Sequence, residues 1–263
     1  MGDLVLGMFG GYPAAAALPF LRSLRAAGSD AEVVLLVHGN PPGTAAALAA
    51  AGARAEAVAL AGVPGDVSYN VARYAALAAA LAARPATGRV LLTDVRDVVF
   101  QRDPFGVALD GALHLFLEHP SKPIGACIWT SSWIRYRYGD AALPPLADRP
   151  IVCSGVVLGE AAAVGEYLRV VAAQLPPGLR ATNYMAGYDQ GVVNVLCHGG
   201  RFPGARLHPY RDTPVLHLGN APPGSVACDA RGEVTNDAGA PVALVHQHDR
   251  HPELAARIAA RWG

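Results

Sequence analysis

Short apolar runs alternate with amphipathic segments along the first third of the chain. Residues 4–9, Leu-Val-Leu-Gly-Met-Phe, read as a buried strand, and residues 31–37, with the run Val33 to Val37, as a second. Between them Gly10-Gly11-Tyr12-Pro13 predicts a turn and residues 14–27 a helix that stops at Gly28. A loop at 38–43 comes next, with Thr44 set to cap a helix running to Ala51. Residues 55–60 form a short third strand, and residues 70–83 a helix ended by Arg84-Pro85. The fourth strand lies in residues 89–105. Its apolar run Val90-Leu91-Leu92 ends in two carboxylates, Asp94 and Asp97, before a second run, Val98-Val99-Phe100, and Pro104. Strand and helix in this alternation predict parallel βαβ units with right-handed crossovers.

The second half is less regular. Residues 113–117 predict a strand leading to Glu118-His119-Pro120, and residues 151–159 another, interrupted by Ser154-Gly155. Glycine inside a strand marks the close approach of a ligand or another backbone. Residues 166–175 are helical, and residues 188–196, Tyr-Asp-Gln-Gly-Val-Val-Asn-Val-Leu, form an apolar helix that opens on Asp189-Gln190. Those side chains either face the helix's positive end as functional groups or serve as a plain cap. Residues 129–138 are rich in aromatics and arginine, which suits either a sugar-binding groove or ordinary helix packing. Residues 215–220 and 243–252 read as strands ending in polar groups, with His217, His246, His248 and His251 among them.

Composition narrows the function. The 263 residues are 52% hydrophobic and 16% charged, enough for a sizeable core in one large domain or two small ones. Twenty-one basic residues balance 21 acidic ones without any basic block, so nothing points to nucleic acid. The four cysteines lie far apart and form no Cys-x-x-Cys pair, which argues against a zinc or disulfide framework. The start of the chain lacks a signal-peptide pattern, and no uncharged apolar run approaches the ~18 residues of a membrane span. A cytoplasmic protein is expected.

The acidic strand carries the most specific chemistry. A buried strand that delivers carboxylates at its carboxyl end puts them where open α/β sheets bind ligands. Asp94 and Asp97 are spaced to share one hard divalent cation, which would hold phosphate oxygens. The alternative is that they merely cap a turn. The first loop has neither a G-x-G-x-x-G nor a G-x-x-x-x-G-K-[ST] pattern; instead it offers Phe9 and Tyr12, either to stack on a base or to fill the core. Histidines at two strand ends are competent metal ligands.

Together these segments resemble the nucleotide-diphospho-sugar glycosyltransferases of GT-A fold, nearest in pattern to the retaining family that contains glycogenin. The likeness runs over most of the chain in matching order. The strand ending in Asp94 and Asp97 is similar to the family's Asp-x-Asp strand, and Ser154-Gly155-Val156 to its Asn-Ser-Gly-Val segment. Asp189-Gln190-Gly191-Val192-Val193-Asn194 is close to its Asp-Gln-Gly-Leu-Leu-Asn helix start, and Val245-His246 with Arg250 to its final strand. The resemblance implies a Rossmann-like, mixed but mostly parallel sheet flanked by helices. It implies Mn²⁺ or Mg²⁺ held by Asp94, Asp97 and His246, with His217 as the rival histidine. It also implies a UDP- or GDP-sugar donor contacted by Phe9 or Tyr12, Arg73, Asp94, Ser154, Gly155 and Arg250. Asp189 and Gln190 would stand near the anomeric carbon, and the sugar would move with retention to a saccharide or small-molecule acceptor. Acceptor specificity would sit in residues 119–150 and 176–188.

The departures are informative. The acidic motif is Asp94-Val95-Arg96-Asp97, which also resembles the Asp-x-x-Asp arrangement of the glycosyltransferase domain of lysyl hydroxylases. Cys153 replaces the family's asparagine, and Arg250-His251 its Lys-Pro. A metal-dependent phosphatase would need the acidic strand near the chain start and lysine downstream, yet the strand comes fourth and lysine occurs only at Lys122. A nucleotidyltransferase would want basic residues in the Gly10-Gly11 turn. A non-catalytic nucleotide-sugar binder would have lost the metal ligands.

Overall fold

The computed structural model describes residues 2–60, 69–85, 87–175 and 187–263. The first half follows the predicted alternation. Strand β1 (Gly2–Gly10) is followed by a 3₁₀ turn and helix α1 (Leu18–Ala26), strand β2 (Glu32–His38), helix α2 (Thr44–Ala50) and strand β3 (Arg54–Ala57). Helix α3 (Tyr69–Ala82) then leads into β4 (Thr87–Thr93). These four strands are parallel and stand in the order β3-β2-β1-β4. Each crossover helix lays its apolar stripe on the sheet, which leaves the strands buried on both faces. Leu4, Leu6, Val34 and Leu36 pack on one side with Tyr74, Leu77 and Leu81 of α3. Val5, Phe9, Val33 and Leu35 pack on the other with Phe20, Leu21 and Leu24 of α1.

Beyond β4 the order changes. Strand β5 (Val98–Phe100) leaves the main sheet, which continues with β6 (Leu113–Leu117), β7 (Val152–Glu160) and β8 (Arg206–His208). Strand β7 inserts antiparallel between β4 and β6, and β8 pairs parallel to β6 at the edge, which completes the order β3-β2-β1-β4-β7-β6-β8. The sheet is mixed and mostly parallel, as expected for a Rossmann-like α/β fold. Helix α4 (Ile128–Tyr138) precedes β7, while α5 (Ala161–Gln174) and α6 (Tyr188–His198) follow it. A second sheet of three short strands has the order β5-β10-β9, where β9 is Val215–His217 and β10 Leu244–His246. Helix α7 (Pro252–Trp262) closes the described chain. None of the described helices is long and apolar enough to cross a membrane.

Two local expectations are corrected. The residue that caps α2 is Gly43, at φ 84°, where a side chain would be strained; Thr44 is buried in the first turn and makes no capping bond. Helix α6 is entered from Gly187, so Asp189 lies inside its first turn and does not cap it. The acceptor stretch expected at 176–188 falls mostly outside the described residues.

Candidate functional site

The site forms where the two sheets meet. The antiparallel ladder of β4 and β7 runs past Thr93, and the Asp94 amide donates to the Gly155 carbonyl at 2.8 Å. In the small sheet His246 pairs with Val98 on one side and His217 on the other, and the Gln247 amide donates to the Asp97 carbonyl at 2.8 Å. Backbone pairing therefore carries Asp94, Asp97 and His246 to one point, although Asp97 and His246 lie 149 positions apart in the chain. One donor atom from each of the three lies within 4.8 Å of the others. His246 Nε2 is 3.4 Å from Asp94 Oδ2 and 3.8 Å from Asp97 Oδ1. Gly155 lies directly beneath. A Cβ there would stand 2.3 Å from His246 Cε1 and 2.7 Å from Asp94 Oδ2, so only glycine lets the two approach.

Arg73 on α3 braces the centre from the other side. Its Nη1 donates to Asp94 Oδ1 at 2.5 Å, and its Nη2 to Asp189 Oδ2 at 2.7 Å and to the Ser154 carbonyl at 3.4 Å. Burial works to raise the pKa of Asp94, yet Arg73 and His246 outweigh it and hold this carboxyl far below the usual range. Asp94 is thus an anion, with one oxygen on Arg73 and the other turned to His246. Burial also works to lower His246, but Cys153, Asp97 and Asp94 outweigh it and raise this imidazole well above its ordinary value. Its other nitrogen, Nδ1, lies 2.9 Å from His217 Nδ1. Burial, and then His246, push His217 well below its usual range, which keeps it neutral and able to accept the His246 Nδ1–H. Cys153 Sγ is 3.7 Å from the same Nδ1, and burial lifts that thiol to about 11.

These residues fit a hard divalent cation such as Mn²⁺ or Mg²⁺. Two carboxylates and an imidazole suit such an ion. His246 Nε2 is buried without a hydrogen-bond partner and faces both acids. A second group of close donor atoms, Cys153, His217 and His246, is wholly buried and shares His246.

A cleft of about 350 Å³ opens over this centre. Its lining includes Arg73, Asp94, Asp97, Ser154, Gly155, Asp189, Gln190, His246 and Arg250, nine of the side chains singled out from sequence. The remaining three are placed differently. Phe9 is 2% exposed and packs in the core with Phe20 and Val37, so it offers no face to a base. Tyr12 is 45% exposed, with the Arg96 guanidinium 5.6 Å from its ring centroid. That guanidinium also reaches Asp97 at 3.7 Å and Asp249 at 2.9 Å, which sets Tyr12 beside the acidic centre without lining the cleft. His217 is fully buried behind His246, its Nδ1 2.9 Å from His246 Nδ1, outside the cleft lining but within the second group of close donor atoms.

Asp189, on the cleft lining, is tied to Arg73 and Tyr74. Its side chain is 1% exposed, and one oxygen accepts from both Arg73 and Tyr74, the latter at 2.9 Å. Burial raises its pKa despite these partners. It anchors Arg73, whereas its neighbour Gln190 accepts from the Ser154 amide at 3.3 Å on the cleft wall.

Several contributors had only faint signals in sequence. Glu118, at the end of β6, is buried, accepts from Asn220 and is raised by that burial. Trp129 and Trp133 line the cleft, which assigns at least part of the aromatic segment to the groove. Gln247, at φ 62°, is the one described non-glycine residue in the left-handed region. It lines the cleft and accepts from the Gly219 amide at 2.9 Å.

No protein-family model matches this chain, and none of the curated proteins does.

Proposed function

We propose that the protein is a metal-dependent glycosyltransferase of GT-A type. It would move a sugar from a nucleotide-diphosphate sugar, UDP- or GDP-linked, to a hydroxyl acceptor, with retention. The observation that carries this reading is the convergence of Asp94, Asp97 and His246 over Gly155, in a cleft walled by Arg250 and Gln190. A divalent ion held by those three ligands would supply positive charge against the leaving diphosphate. The chain's own residues do the rest. Arg250, exposed at the cleft wall, offers a forked cation to the phosphates. Arg73 fixes Asp94 so that one oxygen faces the ion, and Asp189 with Tyr74 fixes Arg73. Tyr12 offers an exposed ring for the base, and Gln190 a side-chain amide for the sugar or acceptor. In the transfer, the anomeric C–O bond breaks with its electrons going to the diphosphate. A new bond forms to the acceptor oxygen, and the hydroxyl proton leaves with the diphosphate. With four free cysteines, Cys127 and Cys153 buried, a reducing cytoplasmic setting belongs to the same proposal.

Asp97→Asn tests the reading. It removes one anionic ligand while leaving the Arg73–Asp94–Asp189 brace in place. Mn²⁺-dependent release of nucleoside diphosphate from the donor should fall by about 10²-fold or more, in line with losing charge stabilisation at the leaving group. Unchanged turnover with unchanged metal dependence would remove Asp97 from the ion and the cation from the mechanism.

A further inference from the structure

Behind the acidic centre lies a second cluster of donor atoms. Strand β7 brings Cys153, β9 ends on His217 and β10 on His246, and the two histidines are register partners across paired strands. One donor atom from each of the three lies within 4.8 Å of the others, and all three residues are buried. His246 Nδ1 is the hub, 3.7 Å from Cys153 Sγ and 2.9 Å from His217 Nδ1. Buried Glu118 is close enough to interact with both Cys153 and His246. No Cys-x-x-Cys spacing announces this set, because only the pairing of strands distant in the chain assembles it.

These donors differ in kind from those on the outer side. A thiolate and two imidazole nitrogens suit a borderline ion such as Zn²⁺, whereas carboxylate oxygens suit Mn²⁺ or Mg²⁺. Tetrahedral Zn²⁺, with Zn–S about 2.3 Å and Zn–N about 2.0–2.1 Å, sets S···N edges of about 3.5 Å and N···N edges of about 3.3 Å. The separations of 3.7 Å and 2.9 Å therefore need to change by only ~0.2 and ~0.4 Å. A Cys153 thiolate with the Glu118 carboxylate would offset the two charges. The cluster also leaves His217 Nε2 buried without a hydrogen-bond partner among the described residues. An orphaned polar atom of this kind marks a role beyond packing. Cys153 and His246 both line the cleft, which gives an ion its way in.

We propose that Cys153, His217 and His246 Nδ1 form an inner site for a thiophilic divalent ion of the Zn²⁺ class, and that filling it takes His246 away from the hard ion at Asp94 and Asp97. The exclusion rests on the outer metal centre of the transferase reading; the inner site does not. On binding, the ion bonds to Cys153 Sγ and to both Nδ1 atoms, and the thiol proton and the His246 Nδ1 proton pass to solvent. A neutral imidazole has one bare nitrogen. With Nδ1 on the inner ion, the remaining ring proton sits on Nε2, 3.4 Å from Asp94 Oδ2, where it can only donate. The two ions thus exclude each other through one ring.

The test uses the full chain with Co²⁺ as a spectroscopic stand-in for Zn²⁺, and no nucleotide sugar. One equivalent of Co²⁺ should give a near-ultraviolet charge-transfer band from thiolate to metal, displaced by Zn²⁺. Cys153→Ser and Cys153→Ala should lose that band while keeping a native circular dichroism spectrum, and Asp97→Asn should keep it. No band in the unmutated chain, or a band that survives in the Cys153 variants, would overturn the inner site and leave the transferase reading standing. Isothermal titration then reads the exclusion. With one equivalent of Zn²⁺ bound, the Mn²⁺ Kd should rise about tenfold or more in the unmutated protein, and clearly less in Cys153→Ser. An equal rise in both would mean that Zn²⁺ competes at the acidic centre alone, and would overturn the exclusion. If Mn²⁺ does not bind even without Zn²⁺, the outer centre fails and the exclusion with it, while the Co²⁺ band still decides the inner site.

Discussion

At the scale of single residues, Gly155 and His217 are the positions where the proposed metal centre is tested most sharply. Gly155→Ala would place a methyl carbon 2.3 Å from His246 Cε1 and 2.7 Å from Asp94 Oδ2, so both side chains would have to shift. Isothermal titration should show Mn²⁺ affinity falling by about 10²-fold, because small displacements of ligating groups are this expensive, while the circular dichroism spectrum stays native. Unaltered affinity would mean that the ion does not sit over Gly155. His217→Gln probes the neighbour behind the ligand. If neutral His217 holds the Nδ1–H of His246 so that Nε2 faces the acids, its loss should weaken Mn²⁺ binding by about 10–100-fold, as such outer partners do. Binding unchanged in His217→Gln would show that His246 is oriented without it. Asp94 and Asp97 were legible because charge is rare directly after a buried apolar run. Phe9 was not, since a strand covered on both faces has no polar side to show which residues reach solvent. Gln247 left no trace, because nothing in its side chain announces a left-handed backbone.

At the scale of elements, the first four strands were legible as apolar runs, and so were those at 113–117 and 151–159 that form β6 and β7, whereas the order in which the later strands pair was not. The runs at 4–9, 33–37 and 90–92 each matched a strand, with helices between them, and short βαβ crossovers leave few ways to pair such strands. The insertion of β7 between β4 and β6 has no such signature, and the three-residue strands β5, β9 and β10 are too short for a period. What joins β7 to its helix was visible only as an Asp-Gln-Gly-Val-Val-Asn string. Asn194 is fully buried, accepts from the Val152 amide at 2.8 Å and donates to the Val152 and Gln190 carbonyls at 2.9 and 2.8 Å. It acts as a lateral partner for β7 while fixing the turn that carries Gln190. Asn194→Ala strands a buried amide and a carbonyl, each worth about 1–3 kcal/mol. Urea unfolding should show a loss in that range or above; a change below about 0.5 kcal/mol would mean that β7 does not depend on α6.

At the scale of the whole molecule, a pair of histidines with lowered pKa ties stability to pH. His114 Nδ1 and His208 Nε2 meet at 3.0 Å across β6 and β8, and His208 also stacks on Phe116 with centroids 5.0 Å apart. Burial lowers both, and with His114 beside it His208 falls to about 4. The unfolded chain, with histidine near ~6.5, then binds more protons than the folded one between about pH 4 and 6.5. Stability is therefore complete above this window and lost as pH falls through it. The urea midpoint should drop from pH 7 to pH 5, and His208→Gln should reduce that drop; an equal drop in the variant would show that the pair does not titrate in this way. The larger claim is that the two sheets meet to make a centre for a divalent ion and a nucleotide diphosphate. The measurement that reaches it most directly is a thermal-shift screen of UDP-, GDP-, ADP- and TDP-sugars, each with and without Mn²⁺, because a ligand that binds only the folded state raises its melting temperature. The account predicts a rise with one nucleotide class, dependent on Mn²⁺ and absent in Asp97→Asn. Stabilisation by Mn²⁺ alone, with no response to any donor, would contradict it.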